Sequence, residues 1–433
     1  MDLFQDYEVN RDYVACSNHS ILPLAALNNS GPYTFHIINE GDNSFLDLPA
    51  TKIHGAFRIK KLVDGVAQNL TKDDDVSVVN LSSAALFESV AISINGTRID
   101  AGSSHGYAYK TYLDALLSYN KLAKETTLSP DLWLIDSTGK LDSVKSDAKD
   151  ADGKNISNRG YLARKLWITN ELKFETYLNA DLFTIDKLWP PNANITITLE
   201  RNSDNFLLLS ESEDKFIIEM TQLRLLYRKI KLSEPIYKSV LNGFSSNKIA
   251  KFKIVRSSFR PYLIPKGTTS TTIPNIFRGV KPFGLIVVLV DADAFNSKKN
   301  KNPWNLLPYK KIALYVNGET IPNYPLTMDT SDKLVSNAAS YRWFLDNIGT
   351  AHSNDSNSIT ENMFCQGFTV SYWDLSANMS NGAVLFGPTI ASGDLSLEWD
   401  KPLDKPVNVL VIDKKHDILN MDKNYNIKYS TEK

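Results

Sequence analysis

The amino-acid sequence predicts an all-β protein built as two tandem eight-stranded antiparallel jelly rolls, a double jelly roll, with short helices in the loops. Three observations lead there. A hairpin-and-helix unit occurs twice, runs with a two-residue hydrophobic period recur through both halves, and few long helical patterns interrupt them.

The repeated unit comes first because it sets the frame. Ala91-Ile92-Ser93-Ile94-Asn95-Gly96-Thr97-Arg98-Ile99 and Ala313-Leu314-Tyr315-Val316-Asn317-Gly318-Glu319-Thr320-Ile321 each read as strand, Asn-Gly, strand. Asn-Gly between alternating apolar residues signals a two-residue type I′ hairpin, which needs positive φ at both central positions. In that register Ile92 faces Ile99 and Leu314 faces Ile321. A helix follows each hairpin. Tyr109, Tyr112, Leu113 and Leu116 fall at i, i+3, i+4 and i+7, as do Tyr341, Phe344, Leu345 and Ile348, so both helices carry one apolar face. The ordered pair indicates an internal duplication. Its longer second gap, Gly318 to Tyr341 against Gly96 to Tyr109, predicts copies alike inside and different at the rim.

In chain order, residues 1–30 lack sustained periodicity and read as an N-terminal arm. Strands are expected at 34–38, 45–48 and 51–62, with a turn at Gly41-Asp42-Asn43 and a break at Pro49. Residues 81–87 could be a short helix or a strand. The charged segment 137–158 has almost nothing apolar to bury and reads as a solvated loop. Strands resume at 166–168, 173–177, 195–199 and 216–232. The boundary is expected near Ser233-Glu234-Pro235, giving a first roll over 31–233 and a second over 234–412. Within the second, 251–264, the continuous apolar run 285–290, 367–373, 395–399 and 407–412 read as strands. Residues 413–433 read as a C-terminal arm.

Bulk composition narrows the classes. The chain has 433 residues, 42% apolar and 22% charged, and 48 Lys and Arg against 49 Asp and Glu. That is the profile of folded protein without a global charge bias toward nucleic acid. Cys16 and Cys365 are the only cysteines, which fits a reducing compartment. The acidic start lacks the features of a secretion signal, and no apolar run reaches the ~18 residues of a membrane span. The product is expected to remain inside the cell that makes it.

Catalytic and metal signatures are sparse. Asp291-Ala292-Asp293 resembles the metal-binding pair of many glycosyltransferases, but those enzymes alternate strands with long helices, and polar residues also end strands. The six histidines include no pair spaced for a cupin metal site, and Asp150-Ala151-Asp152-Gly153 lacks the spaced carboxylates of a calcium loop. No cofactor and no catalytic residue is assigned. A carbohydrate-binding or glycan-cleaving protein built from two jelly rolls remains the alternative, since scattered carboxylates leave no sequence spacing. Arg224, Arg228, Lys229, Lys231, Lys238, Lys248, Lys251, Lys253, Arg256 and Arg260 stand against a single acid, Glu234. They could meet phosphates, or form the solvated face of a strand and linker.

Several stretches together resemble a known family. Thr34-Phe35-His36-Ile37 with Asp47-Leu48, the segment from Leu86-Phe87 to Asn95-Gly96, and Tyr109 to Tyr119 are similar to major capsid proteins of the Polinton (Maverick) and adintovirus-like DNA viruses. Val290-Asp291-Ala292-Asp293-Ala294-Phe295-Asn296, Lys301-Asn302-Pro303 and Leu314 to Pro322 resemble that family's second half. The resemblance spans residues 31–375 and implies a non-enzymatic capsid subunit. Its homotrimers would form pseudo-hexagonal capsomers of an icosahedral shell, beside neighbouring capsomers and a minor penton protein. It also implies a place in the virion capsid, assembled inside the host cell, with non-specific contact to packaged DNA.

Overall fold

Alternation along the strands decides which face each residue takes. In Ile195–Arg201 the isoleucines and Leu199 are buried while the threonines between them are partly exposed, as a two-residue period requires. The computed structural model describes residues 12–39, 43–100, 102–144, 157–298, 300–329 and 336–430.

The first half holds β1 (Tyr13–Ile21), β2 (Tyr33–Ile37), β3 (Ser44–Val63), β4 (Val66–Asn69), β5 (Ser77–Val78), β6 (Phe87–Ile94), β7 (Thr97–Asp100), β8 (Leu172–Tyr177), β9 (Ile195–Arg201), β10 (Leu208–Leu209) and β11 (Lys215–Leu232). The second holds β12 (Ala250–Ile264), β13 (Ser270–Val280), β14 (Gly284–Asp291), β15 (Lys311–Val316), β16 (Glu319–Thr327), β17 (Ser371–Asp374), β18 (Ile390–Glu398), β19 (Val407–Met421) and β20 (Ile427–Tyr429). The main sheets of the first half run β1-β11-β3-β8 and β2-β9-β6-β7, and those of the second run β12-β19-β14-β17 and β13-β18-β15-β16. The two orders match strand for strand, and each last strand returns beside the first, which is the jelly-roll connection. The fold is a double jelly roll, with β4, β5, β10 and β20 as additions.

The duplicated hairpins close on positive φ at both turn residues, 46° and 81° at Asn95 and Gly96, 50° and 87° at Asn317 and Gly318. Each turn asparagine also ties its hairpin to the neighbouring strand region. Asn95 accepts from the Asn194 N–H at 2.9 Å, and Asn317 accepts from the Ser392 N–H at 3.0 Å. Leu314 pairs with Ile321 as expected, but Ile92 pairs with Asp100, because a bulge leaves Ile99 as the extra residue. The helices cover Gly106–Ser118 and Ala338–Asn347.

Several expectations change. Tyr13–Ile21, inside the expected arm 1–30, is a strand paired with β11; exposure of eight of its nine residues erased any periodicity. At the other end β19 runs to Met421, well past residue 412, because residues 413–421 continue the ladder with β12. Pro49 does not break β3: it sits exposed where the register with β11 shifts, so no ladder donor is lost. Residues 166–168 are a turn after the helix Arg159–Lys165, not a strand. Ser233-Glu234-Pro235 opens a helix, Glu234–Ser245, between β11 and β12. The expected solvated loop is packed at its start, where Leu141 and Val144 are buried. Residues 1–11, Gly41-Asp42, the charged segment 145–156 with its Asp150–Gly153 run, and 431–433 lie outside the described residues.

A Cβ added at Gly96 or Gly318 would meet nothing within 4 Å, so only backbone strain opposes it. Gly96→Ala and Gly318→Ala are each expected to lower unfolding free energy by about 1 kcal/mol. Urea denaturation midpoints check this; an unchanged midpoint in both variants would refute the turn assignment.

Candidate functional site

The two rolls meet on the helix Gly106–Ser118. Its apolar face carries Tyr109 and Tyr112 into a ring cluster completed by the second half. Trp304 is fully buried, stacks on Tyr112 with centroids 4.2 Å apart, and donates its indole N–H to the Asn80 carbonyl at 2.7 Å. Tyr109 stacks on Phe259 and Phe295 and meets Trp304 edge-on.

Polar groups lock the same junction. The Arg164 guanidinium, itself fully buried, lies 2.6 Å from the Asp136 carboxylate and donates to Val78 and Leu134 carbonyls. Asp136 also accepts from Asn158 and, across the junction, from the Asn302 amide at 2.9 Å. Asp142 accepts from the Asn302 backbone and the Asn305 side chain. Lys110 pairs with Asp181, and Lys414 of β19 pairs with Asp114 at 2.7 Å. Burial alone would push the Asp114 carboxyl up, but Lys414 and Lys110 outweigh it and hold the group below its usual range. Lys124 has a different environment: burial pulls it down to about 8, with the Leu116 and Asn357 carbonyls accepting from it.

A cleft of about 700 Å³ opens beside this clasp, between the rolls, with Tyr119, Asp131, Tyr177, Phe183, Val255 and Tyr372 in its wall. Burial raises the Asp131 carboxyl to about 6, against a weaker opposing pull from the Thr176 hydroxyl and the Lys52 charge. Its folded-state value lies above the unfolded one. The protein therefore keeps the associated stability below the ordinary carboxylate range and loses it as pH rises through about 6.

Two surface stretches stand out by their lack of charge. From Tyr13 to Asn39, and again from Leu375 to Gly393, there is no Asp, Glu, Lys or Arg. The first contains the edge strand β1 and an exposed Leu24 (67% accessible); the second contains Val384, Leu385, Phe386 and Ile390 (71% accessible). A groove of about 790 Å³ lined by Phe283, Leu375, Leu385, Phe386, Ile390 and His416 runs along the second stretch. Charge usually blunts an exposed edge, and β1 carries none.

The structure disperses the basic stretch. Arg224 is exposed on β11 and separated by a register shift from Arg228, Lys229 and Lys231, and Arg228 is held by Asp47. Lys248 is exposed on the connection into β12, where Lys251 and Lys253 share one face, while Arg256 and Arg260 pair with Asp417 and Asp413. Asp291 ends β14, and its side chain caps the Asp293 N–H, with Lys298 and Lys301 beside the pair. Among the described residues, no three His, Cys, Asp or Glu side chains are grouped to hold a metal ion, and no helix is long and apolar enough to cross a membrane. Trp304, Asp136 and Asp131 were missed by sequence reasoning. A lone Trp in the polar run Lys301-Asn302-Pro303-Trp304-Asn305 was the available signal for the first; isolated aspartates carry none.

Fold and junction together define one class, the double jelly roll whose two rolls share a continuous core. No family model matches the chain. Uncharacterized protein F54H12.2 of Caenorhabditis elegans is 23% identical over 356 residues, 80% of each chain. A chain of the Sputnik virophage, solved by cryo-EM, superposes with TM-score 0.66 at 10% identity, over 99% of this chain and 91% of its own. The mavirus major capsid protein gives 0.57 at 10% identity, over 99% and 92%. At such identities the likeness is one of fold.

Replacing Trp304 by Ala removes the stack on Tyr112 and leaves a void between the rolls. The expected loss is about 3–5 kcal/mol, read as a lower denaturation midpoint; a loss under about 1 kcal/mol would show that the rolls do not depend on this contact.

Proposed function

We propose that the chain is the major capsid protein of a Polinton (Maverick) or adintovirus-like DNA virus or virus-like transposon. The observation that carries the reading is the extent of the fold likeness: 99% of the chain superposes on a viral major capsid protein. Three copies of a chain with two like-ordered rolls present six similar corners, so a homotrimer imitates a hexagon and can tile a shell with neighbouring capsomers. A minor penton protein would close the fivefold positions. The shell would assemble inside the host cell, and the chain would act structurally, with no catalytic residue.

The uncharged stretches support self-association, because an apolar edge strand and groove gain free energy only when covered. An obligate trimer interface should bury well above ~2,000 Å². Cys16, exposed on β1, reports on this surface. Labelling of Cys16 by a thiol reagent, followed by peptide mapping, is expected to fall at least tenfold on assembly, and Val14→Lys to weaken assembly by a similar factor. A stable monomer at micromolar concentration in light scattering would overturn the reading.

Lys248 and Lys251, both exposed, and the half-buried Lys253 are the part of the basic stretch suited to packaged DNA. Lys248→Glu, Lys251→Glu and Lys253→Glu together are expected to lower bound DNA and flatten its salt dependence; an unchanged salt series would remove DNA contact from the proposal.

A further inference from the structure

The junction inside the chain joins unlike faces of the two rolls, and each of those faces has a duplicate that the chain leaves uncovered. On the first roll the joined face is the helix Gly106–Ser118; on the second it is the strand pair β12 and β19. Tyr109 stacks on Phe259 of β12. Asp181, paired with Lys110, accepts from the Ser257 N–H of β12 at 2.8 Å, and Asp114 pairs with Lys414 of β19 at 2.7 Å.

The repeated strand order makes β1 and β11 the counterparts of β12 and β19. β1 carries no charge, and eight of its nine residues are exposed. On β11, Arg228 is held by Asp47, whereas Arg224, exposed between the buried Leu223 and Leu225, has no ion-pair partner among the described residues. The helix Ala338–Asn347 is the counterpart of Gly106–Ser118. With Tyr341 matched to Tyr109, Arg342 stands where Lys110 does and Asp346 where Asp114 does. Tyr109, Leu113 and Leu116 are fully buried, but Tyr341, Leu345 and Ile348 are only half-buried. Asp346 is exposed and, like Arg224, has no ion-pair partner among the described residues.

We propose that the helix Ala338–Asn347 of one copy docks on β1 and β11 of the next, with Asp346 paired to Arg224 as Asp114 is paired to Lys414. Such a contact is head-to-tail, the kind that closes into a ring when its rotation allows. Its charges are complementary, one carboxylate against one guanidinium beside a strand that adds none, and a pair of that kind fixes register and partner choice. The inference rests on the reading of the chain as a self-assembling capsid subunit and names the surfaces that meet.

The test compares full-length wild type, Asp346→Arg, Arg224→Asp and the double variant by sedimentation velocity over a range of protein concentrations. Each single variant sets like charges against each other and is expected to raise the concentration needed for assembly at least tenfold. The double variant restores the pair with its signs exchanged and should recover most of that loss. Both residues are exposed, so all four melting temperatures should agree, which separates lost docking from misfolding. A wild type that stays monomeric would overturn the capsid reading and this contact with it. A wild type that assembles, with single variants that assemble as readily or a double variant no better than either, would overturn the contact alone.

Discussion

The two jelly rolls behave as one body because the second inserts Trp304 into the first. The indole fills the space against Tyr112 and satisfies its own N–H on the Asn80 carbonyl. Asn302, two residues earlier, reaches the carboxylate that also holds Arg164. Removing either partner of that buried pair would leave a charge in the core, which makes the arrangement specific as well as tight.

Duplication governs the sheets but not the junction. The strand order repeats, the Asn-Gly turns repeat, and even the turn asparagines' bonds to the next strand repeat. The helices diverge. Gly106–Ser118 buries Tyr109, Tyr112, Leu113 and Leu116 because both rolls close over it; of the matching residues in the second copy, Phe344 alone is fully buried. One copy of the unit became the hinge-free centre of the molecule, and the other stayed at its periphery.

Most of the fold was legible because strands with one buried face write a two-residue period into the sequence, as in Ile195–Arg201. It failed where that cause is absent. β1 has no buried face within the chain, so nothing in its pattern marked it as a strand. Residues 137–144 read as solvent-exposed from their charge, yet Asp142 bonds Asn302 and Asn305, and Leu141 lies beneath. Charge that is paired across a long sequence separation looks, locally, like charge in water. In the basic stretch, several members are taken up by acidic partners far away in sequence, Arg228 by Asp47, Arg256 by Asp417 and Arg260 by Asp413.

The interior and the surface thus follow opposite rules. Inside, several polar side chains at the junction find partners in the other roll, as Asn302 does on Asp136 and Lys414 on Asp114. Outside, two long stretches omit charge and leave Leu24, Phe386 and Ile390 in water, where each costs free energy that a covering surface would return. An uncharged β1 edge is a hazard for a protein that stays alone and an asset for one that does not. The same physical feature that hid β1 from sequence reading, a strand with no core beneath it, is therefore the local feature on which the proposed self-association leans most.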